Sequence, residues 1–292
     1  MMTTTTTTPT TTPSRYPYCG GPAYDTDPVL INSPSSWAAF QTTFLNDTMC
    51  NSLYGRLEIT AWSFDASPEE LNFPNLSNLT QGVVVFAQNV GALSTRLRLS
   101  FPDLEIIGCA GDPCAPQTMT VTAAGGVISA LSMPHLHTIT EDLILRAQTV
   151  DGVAGVIASA TFGTELAAPA VLSVWRNIVL RSDSPLATVA NVSMARMGSV
   201  GSLSIGSTGL VSNIALQAST QEVFSVAGVV AISGSGEVRT VTLGNLTKVR
   251  RHRVSSRVDY VYAVERGING RNEPCSNWTH RCHAFPWIRA DV

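Results

Sequence analysis

The chain has 292 residues, 44% of them hydrophobic and only 13% charged, with a formal net charge of -3. Charged residues therefore stand at about half the usual share of roughly 25%, and residues 1–249 carry 10 Lys/Arg against 17 Asp/Glu, which excludes the basic surface that nucleic acid requires. No stretch approaches about 18 uninterrupted apolar residues, so no helical membrane span is expected.

Met1-Met2 is followed by nine threonines within Thr3–Thr12, with neither a basic nor an apolar region of a secretory signal. Thr/Pro tracts are compositionally like O-glycosylated stalks. Residues 1–29 are accordingly read as a disordered or stalk segment of a longer extracellular protein, a cytosolic disordered tail being the alternative. From Ser35 the apolar residues Trp37, Phe40, Phe44 and Leu45 follow helical spacing, which predicts a short amphipathic helix with a serine N-cap. Such a helix would cap the open end of a repeat array.

A phrase of the form apolar-Pro-x-apolar-x-x-apolar then recurs. It reads Phe73-Pro74-Asn75-Leu76 with Leu79, Phe101-Pro102-Asp103-Leu104 with Ile107, Met133-Pro134-His135-Leu136 with Ile139, and Ala168-Pro169-Ala170-Val171 with Val174. Met197/Val200 and Leu246/Val249 keep the rhythm without proline. After each phrase stands a strand-like alternation, at Val83/Val85, Met119/Val121, Leu143/Leu145, Ile178/Leu180 and Leu203/Ile205. Before the phrases lie Leu97/Leu99/Phe101, Ile128/Leu131/Met133 and Val189/Val192/Met194. Recurrence at this period predicts a mainly β chain, a right-handed parallel β-helix over about residues 53–249. Leu76, Leu104, Leu136, Val171 and Met197 would form one interior column, and proline would mark corners because it donates no amide. Residues 250–292 hold eight arginines against four acidic residues. That reversal of charge predicts a C-terminal segment poorly ordered or foreign to the fold, with Arg250-Arg251-His252-Arg253 standing where a strand is due.

Six cysteines fall in three sequence-local pairs, Cys19/Cys50, Cys109/Cys114 and Cys275/Cys282. An even number in local pairs points to disulfides and an oxidising compartment, although six cysteines allow fifteen connectivities and the pairing rests on proximity. Zinc is the rival reading for Cys275, His280, Cys282 and His283, whose spacing matches no familiar zinc arrangement. Acceptor motifs for N-glycosylation occur at Asn46, Asn75, Asn78, Asn191, Asn245 and Asn277. Asn75 and Asn78 flank inward-pointing apolar residues and are expected to face solvent.

Cys50-Asn51-Ser52-Leu53-Tyr54-Gly55-Arg56-Leu57-Glu58-Ile59 joins a cysteine, a glycine and an alternating strand. Together with the proline phrase, this resembles the receptor L domain, a leucine-rich-repeat-like β-helix found in growth-factor receptor ectodomains and in fungal cell-wall and sporulation proteins. The resemblance covers about residues 30–249. It implies a non-catalytic extracellular recognition, adhesion or wall-structural module with a protein or glycan partner, and a cysteine, here Cys50, placed before the first strand. Glu141-Asp142-Leu143 and Arg176-Asn177-Ile178 lack the glycine that the family usually places after its phrase.

A β-helix carbohydrate-active enzyme, a polysaccharide lyase or hydrolase, is the alternative, because parallel β-helices also carry such chemistry. That reading requires converging carboxylates. Glu69/Glu70 and Glu141/Asp142 are adjacent in sequence and so do not form a dyad on one strand face, and Asp25/Asp27 lies in the segment before the repeats. Any pair would come from distant positions among Asp103, Glu105, Glu141, Asp142, Asp151, Glu165 and Asp183. His135 and His137 share a strand face as two metal ligands would, without a third ligand in register. The glycine runs Gly206-Ser207-Thr208-Gly209 and Gly234-Ser235-Gly236 read as turns, since no lysine follows them. No catalytic residue, metal ligand or cofactor is assigned.

Overall fold

The computed structural model describes residues 18–19, 28–46, 51–60, 70–88, 96–108, 115–167, 170–218, 224–244, 246–255 and 261–264. These are mainly β, in two sheets of parallel ladders, with one short helix near the start. The chain passes from one sheet to the other and back, and each pass lays its strands parallel to those of the pass before.

The proline phrase is a tight turn. Leu104 N donates to Phe101 O at 3.4 Å and Leu136 N to Met133 O at 3.3 Å, so proline occupies the second turn position, where its fixed φ fits. The first and fourth turn residues, Phe73/Leu76, Phe101/Leu104 and Met133/Leu136, are buried, which anchors each turn on both sides. At the third position Asn75 has φ 64, a conformation that asparagine tolerates better than most side chains.

Three rows of strands follow from this punctuation. A short row runs Ser52–Leu53, Asn78–Leu79, Ile106–Ile107 and Thr138–Ile139. A longer row runs Val29–Ile31, Leu57–Thr60, Val83–Gln88, Met119–Ala124 and Leu143–Gln148. Both rows end on Leu172–Ser182 and continue together through Met197–Ser207, Phe224–Gly234 and Leu246–Ser255. The second sheet takes the third row, including Arg96–Ser100, Val127–Met133, Thr188–Met194 and Leu210–Gln217. Register places Leu57, Val83, Met119, Leu143, Ile178 and Leu203 one over another, all buried. Each such side chain contributes about 1.5–3 kcal/mol by burial.

The structure departs from the sequence reading at three places. Val171 is half-buried, and Leu172 takes its expected place opposite Met197. The reason is a one-residue slip: Met197-Gly198-Ser199-Val200 faces Leu172-Ser173-Val174, and the extra residue is taken up at Gly198, where Val171 crowds any Cβ. Pairing also begins before residue 53, at Tyr18–Cys19 on Ser52–Leu53 and at Val29–Ile31 on Leu57–Ile59. It runs on past residue 249, with Val229 opposite Arg251, Ile232 opposite Val254, and a further strand Val261–Val264 on Val241–Gly244.

The expected helix covers Pro34–Phe40 and continues as a π-helical segment, Gln41–Leu45. Its N-cap is Ser33, whose hydroxyl accepts from Ser36 N, while Ser36 Oγ accepts from Ser33 N. Trp37 and Phe40 lie edge-on to Phe73 at 5.1 and 5.6 Å, and Phe73 stacks on Phe101 at 4.3 Å. The helix thus covers the end of the interior column. Among the described residues, no helix is long and apolar enough to cross a membrane.

Candidate functional site

The exposed third positions of the proline turns line up across passes. Ser77 N donates to Asn51 O, Glu105 N to Ser77 O and His137 N to Glu105 O, which stacks Asn51, Ser77, Glu105 and His137. Beside this stack stand the turn tips Asn75, Asp103 and His135. Asn51, Asn75, Ser77, Asp103, Glu105 and His135 line an open groove of about 430 Å³. Leu104 between Asp103 and Glu105 points inward, so both carboxylates project from one edge.

Neighbouring passes hold these groups in place. Asn75 N donates to Asp103 Oδ2 at 2.9 Å. His135 lies 2.6 Å from Pro102 O through Nδ1; a carbonyl only accepts, so Nδ1 carries the proton. His135 Nε2 then faces Glu165 Oε2 at 3.7 Å, and His137 Nε2 faces Glu105 Oε2 at 4.0 Å. These four side chains are between 32% and 66% exposed. The arrangement offers alternating acceptors and imidazoles to a hydroxyl- or amide-bearing ligand. A general acid, by contrast, is made by burying a carboxyl in an apolar pocket. The His-x-His pair gains no further ligand: the described residues contain no group of three or more His, Cys, Asp or Glu able to hold a metal ion.

The remaining acidic candidates are committed elsewhere. Glu141 pairs with Arg176 and accepts from Thr118 Oγ1 at 2.9 Å, and Asp142 Oδ1 accepts from the backbone and side-chain nitrogens of Asn177 at 2.9 and 2.8 Å. Asp183 lies between Arg146 and Arg181, the latter at 3.2 Å. Asp151 sits in a turn with φ 50, and Glu70 is 4.0 Å from Arg98. Asp25, Asp27 and Glu69 lie outside the described residues. The glycine runs are turns between passes: a Cβ at Gly209 would lie 2.3 Å from Ala187 O, and one at Gly236 would lie 2.3 Å from Gly209 O.

Of the cysteines, Cys19 lies on the strand Tyr18–Cys19, opposite Leu53. Cys50, Cys109, Cys114, Cys275 and Cys282 lie outside the described residues, as do Asn245 and Asn277. Asn46, Asn75 and Asn191 are exposed. Asn78 corrects the expectation that it faces solvent: it is 3% exposed, and its Oδ1 has no hydrogen-bond partner. The short strand Asn78–Leu79 buries both its residues, so the sequon there is closed to a glycan.

Two features were missed by the sequence reading. Asn191 and Asn213, with φ 49 and 53, stack so that Asn213 Nδ2 donates to Asn191 Oδ1 at 3.0 Å and Asn191 Nδ2 to Ala158 O at 2.9 Å. Trp175 stands 60% exposed, whereas the other large exposed hydrophobic residues among those described, Leu30, Leu186 and Val229, are aliphatic. Comparison of the chain with family models, with curated proteins and with solved structures finds no match.

Proposed function

We propose that this chain is a receptor-L-domain-like right-handed β-helix acting outside the cell as a non-catalytic recognition, adhesion or wall-structural module. Its partner is a protein or a glycan. The observation that carries the reading is the groove at the proline turns, an open surface lined by half-exposed Asn, Ser, Asp, Glu and His held by inter-pass hydrogen bonds. Stacked parallel strands provide a rigid base for such a surface, which solenoids use for recognition. The cysteine pairs, as disulfides, and glycans at Asn46, Asn75 and Asn191 belong to the same reading, as does the Thr-rich start.

The carbohydrate-active enzyme is the second reading, favoured by one observation: Asp103 and Glu105 line the same groove. The intact chain, incubated with a panel of polysaccharides, separates the two. The recognition reading expects no release of reducing or unsaturated ends. Turnover that D103N or E105Q abolishes, with the thermal midpoint unchanged, would overturn it.

A further inference from the structure

One corner exposes an indole at a position that the three passes before it bury. Between the short row and the longer row the chain turns through three residues, Thr80-Gln81-Gly82, Thr140-Glu141-Asp142 and Trp175-Arg176-Asn177, which the register sets in one column. The first corner position is buried on the three preceding passes, as Thr80, Gly108 and Thr140, and half-buried before them as Tyr54. Thr80 is 2% exposed and donates to Leu53 O at 3.2 Å; Thr140 is 3% exposed and accepts from Gln117 N at 3.0 Å. Trp175 holds the same position and is 60% exposed. An indole cannot enter the space of a threonine, so it stands out in water, where it adds nothing to the core. A local departure of this kind from the pattern that folds the chain marks a functional position.

The surroundings are built to keep that indole accessible. Trp175 and Arg176 face a single residue, Gly201, on the next pass, and this bulge sends two successive side chains outward together. A Cβ at Gly201 would lie 2.1 Å from Arg176 O, and one at Gly228, a pass further on, 2.4 Å from Ser202 Oγ. No side chain can rise beside the indole from either position. The Arg176 guanidinium is paired with Glu141 yet its side chain is 61% exposed, and Glu141 is braced by Thr118. Asp142 is fixed by Asn177.

We infer that Trp175 is the stacking platform of a glycan-binding site, with Arg176, Glu141, Asp142 and Asn177 arranged around it for sugar hydroxyls. The C–H face of a pyranose is slightly positive and meets the negative face of the indole. Vicinal hydroxyls both donate and accept, which suits a fixed guanidinium beside fixed carboxylates. Two carboxylates against one guanidinium select a neutral sugar over an anionic one. A protein partner needs about 800 Å² with several buried anchors; this corner offers Trp175 and, two passes on, Val229, among glycines and charges. The site rests on the recognition reading in taking binding as the activity, and it lies at a different corner from the proline-turn groove.

Affinity electrophoresis of the intact chain through gels holding a neutral β-1,3-glucan, an α-mannan or chitin oligosaccharides tests the site. Threonine fills this position on two other passes, as Thr80 and Thr140, so W175T is the informative variant. Retention by at least one gel should weaken about tenfold or more in W175T with the thermal midpoint unchanged, and W175F should keep most of it. Equal retention of W175T and wild type overturns the site, and absence of wild-type retention on all three sugars overturns the glycan class. Should W175T melt early, the wild type decides alone: the retained sugar must shield indole fluorescence from acrylamide, and lack of shielding overturns the proposal. Cleavage of a gel polysaccharide abolished by D103N would sink the recognition reading separately, since retention through Trp175 is scored in the same gel.

Discussion

At the scale of single residues, Asn75 and Asn78 show how three positions of sequence separate opposite fates. Both carry the acceptor motif, but Asn75 occupies an exposed turn tip with φ 64, whereas Asn78 is buried in a two-residue strand. When the chain is secreted from a glycosylating host, N75Q should remove one glycan by mass spectrometry and N78Q none. Loss of a glycan in N78Q would contradict the burial. A glycan on Asn75 would stand at the proline-turn groove, so its occupancy should also govern what that groove can reach.

At the scale of elements, the stacked pair Asn191 and Asn213 holds two strands in a conformation that side chains with a branched Cβ avoid. Each asparagine sits in the middle of a strand, opposite its partner in the next pass. N213G should be tolerated to within about 1 kcal/mol, while N213V should cost about 2 kcal/mol or more, adding left-handed strain to the lost hydrogen bond. Denaturant midpoints would check the order. An equal cost for both would show that the hydrogen bond alone matters. The same logic explains why the proline phrase is so regular: proline at the second turn position and apolar anchors at the first and fourth make each turn self-sufficient, so its signal is local.

At the scale of the molecule, stability is distributed along interior columns in which each residue touches the one above and the one below. Leu136 lies mid-column between passes that carry Leu104 and Leu172, and is fully buried. L136A should therefore cost about 2–5 kcal/mol in equilibrium unfolding. L186A, at a residue 64% exposed, should stay within about 0.5 kcal/mol. A small cost for L136A would argue that the passes do not share one core.

The sequence by itself determined the turns and the inward alternation, because proline and a period of two act over a few residues: Phe73-Pro74-Asn75-Leu76, Val83/Val85 and Leu143/Leu145 are all where their chemistry put them. The helix at Trp37 was legible for the same reason, with its cap shifted to Ser33. Tertiary structure alone decided register. The bulge at Gly198 moved the column from Val171 to Leu172, and the short row buried Asn78, because both depend on what the neighbouring pass presents. The candidate sites were hidden on the same grounds. Asp103 and His135 stand 32 residues apart and Thr140 and Trp175 stand 35 apart, and only parallel stacking makes each pair neighbours on one surface.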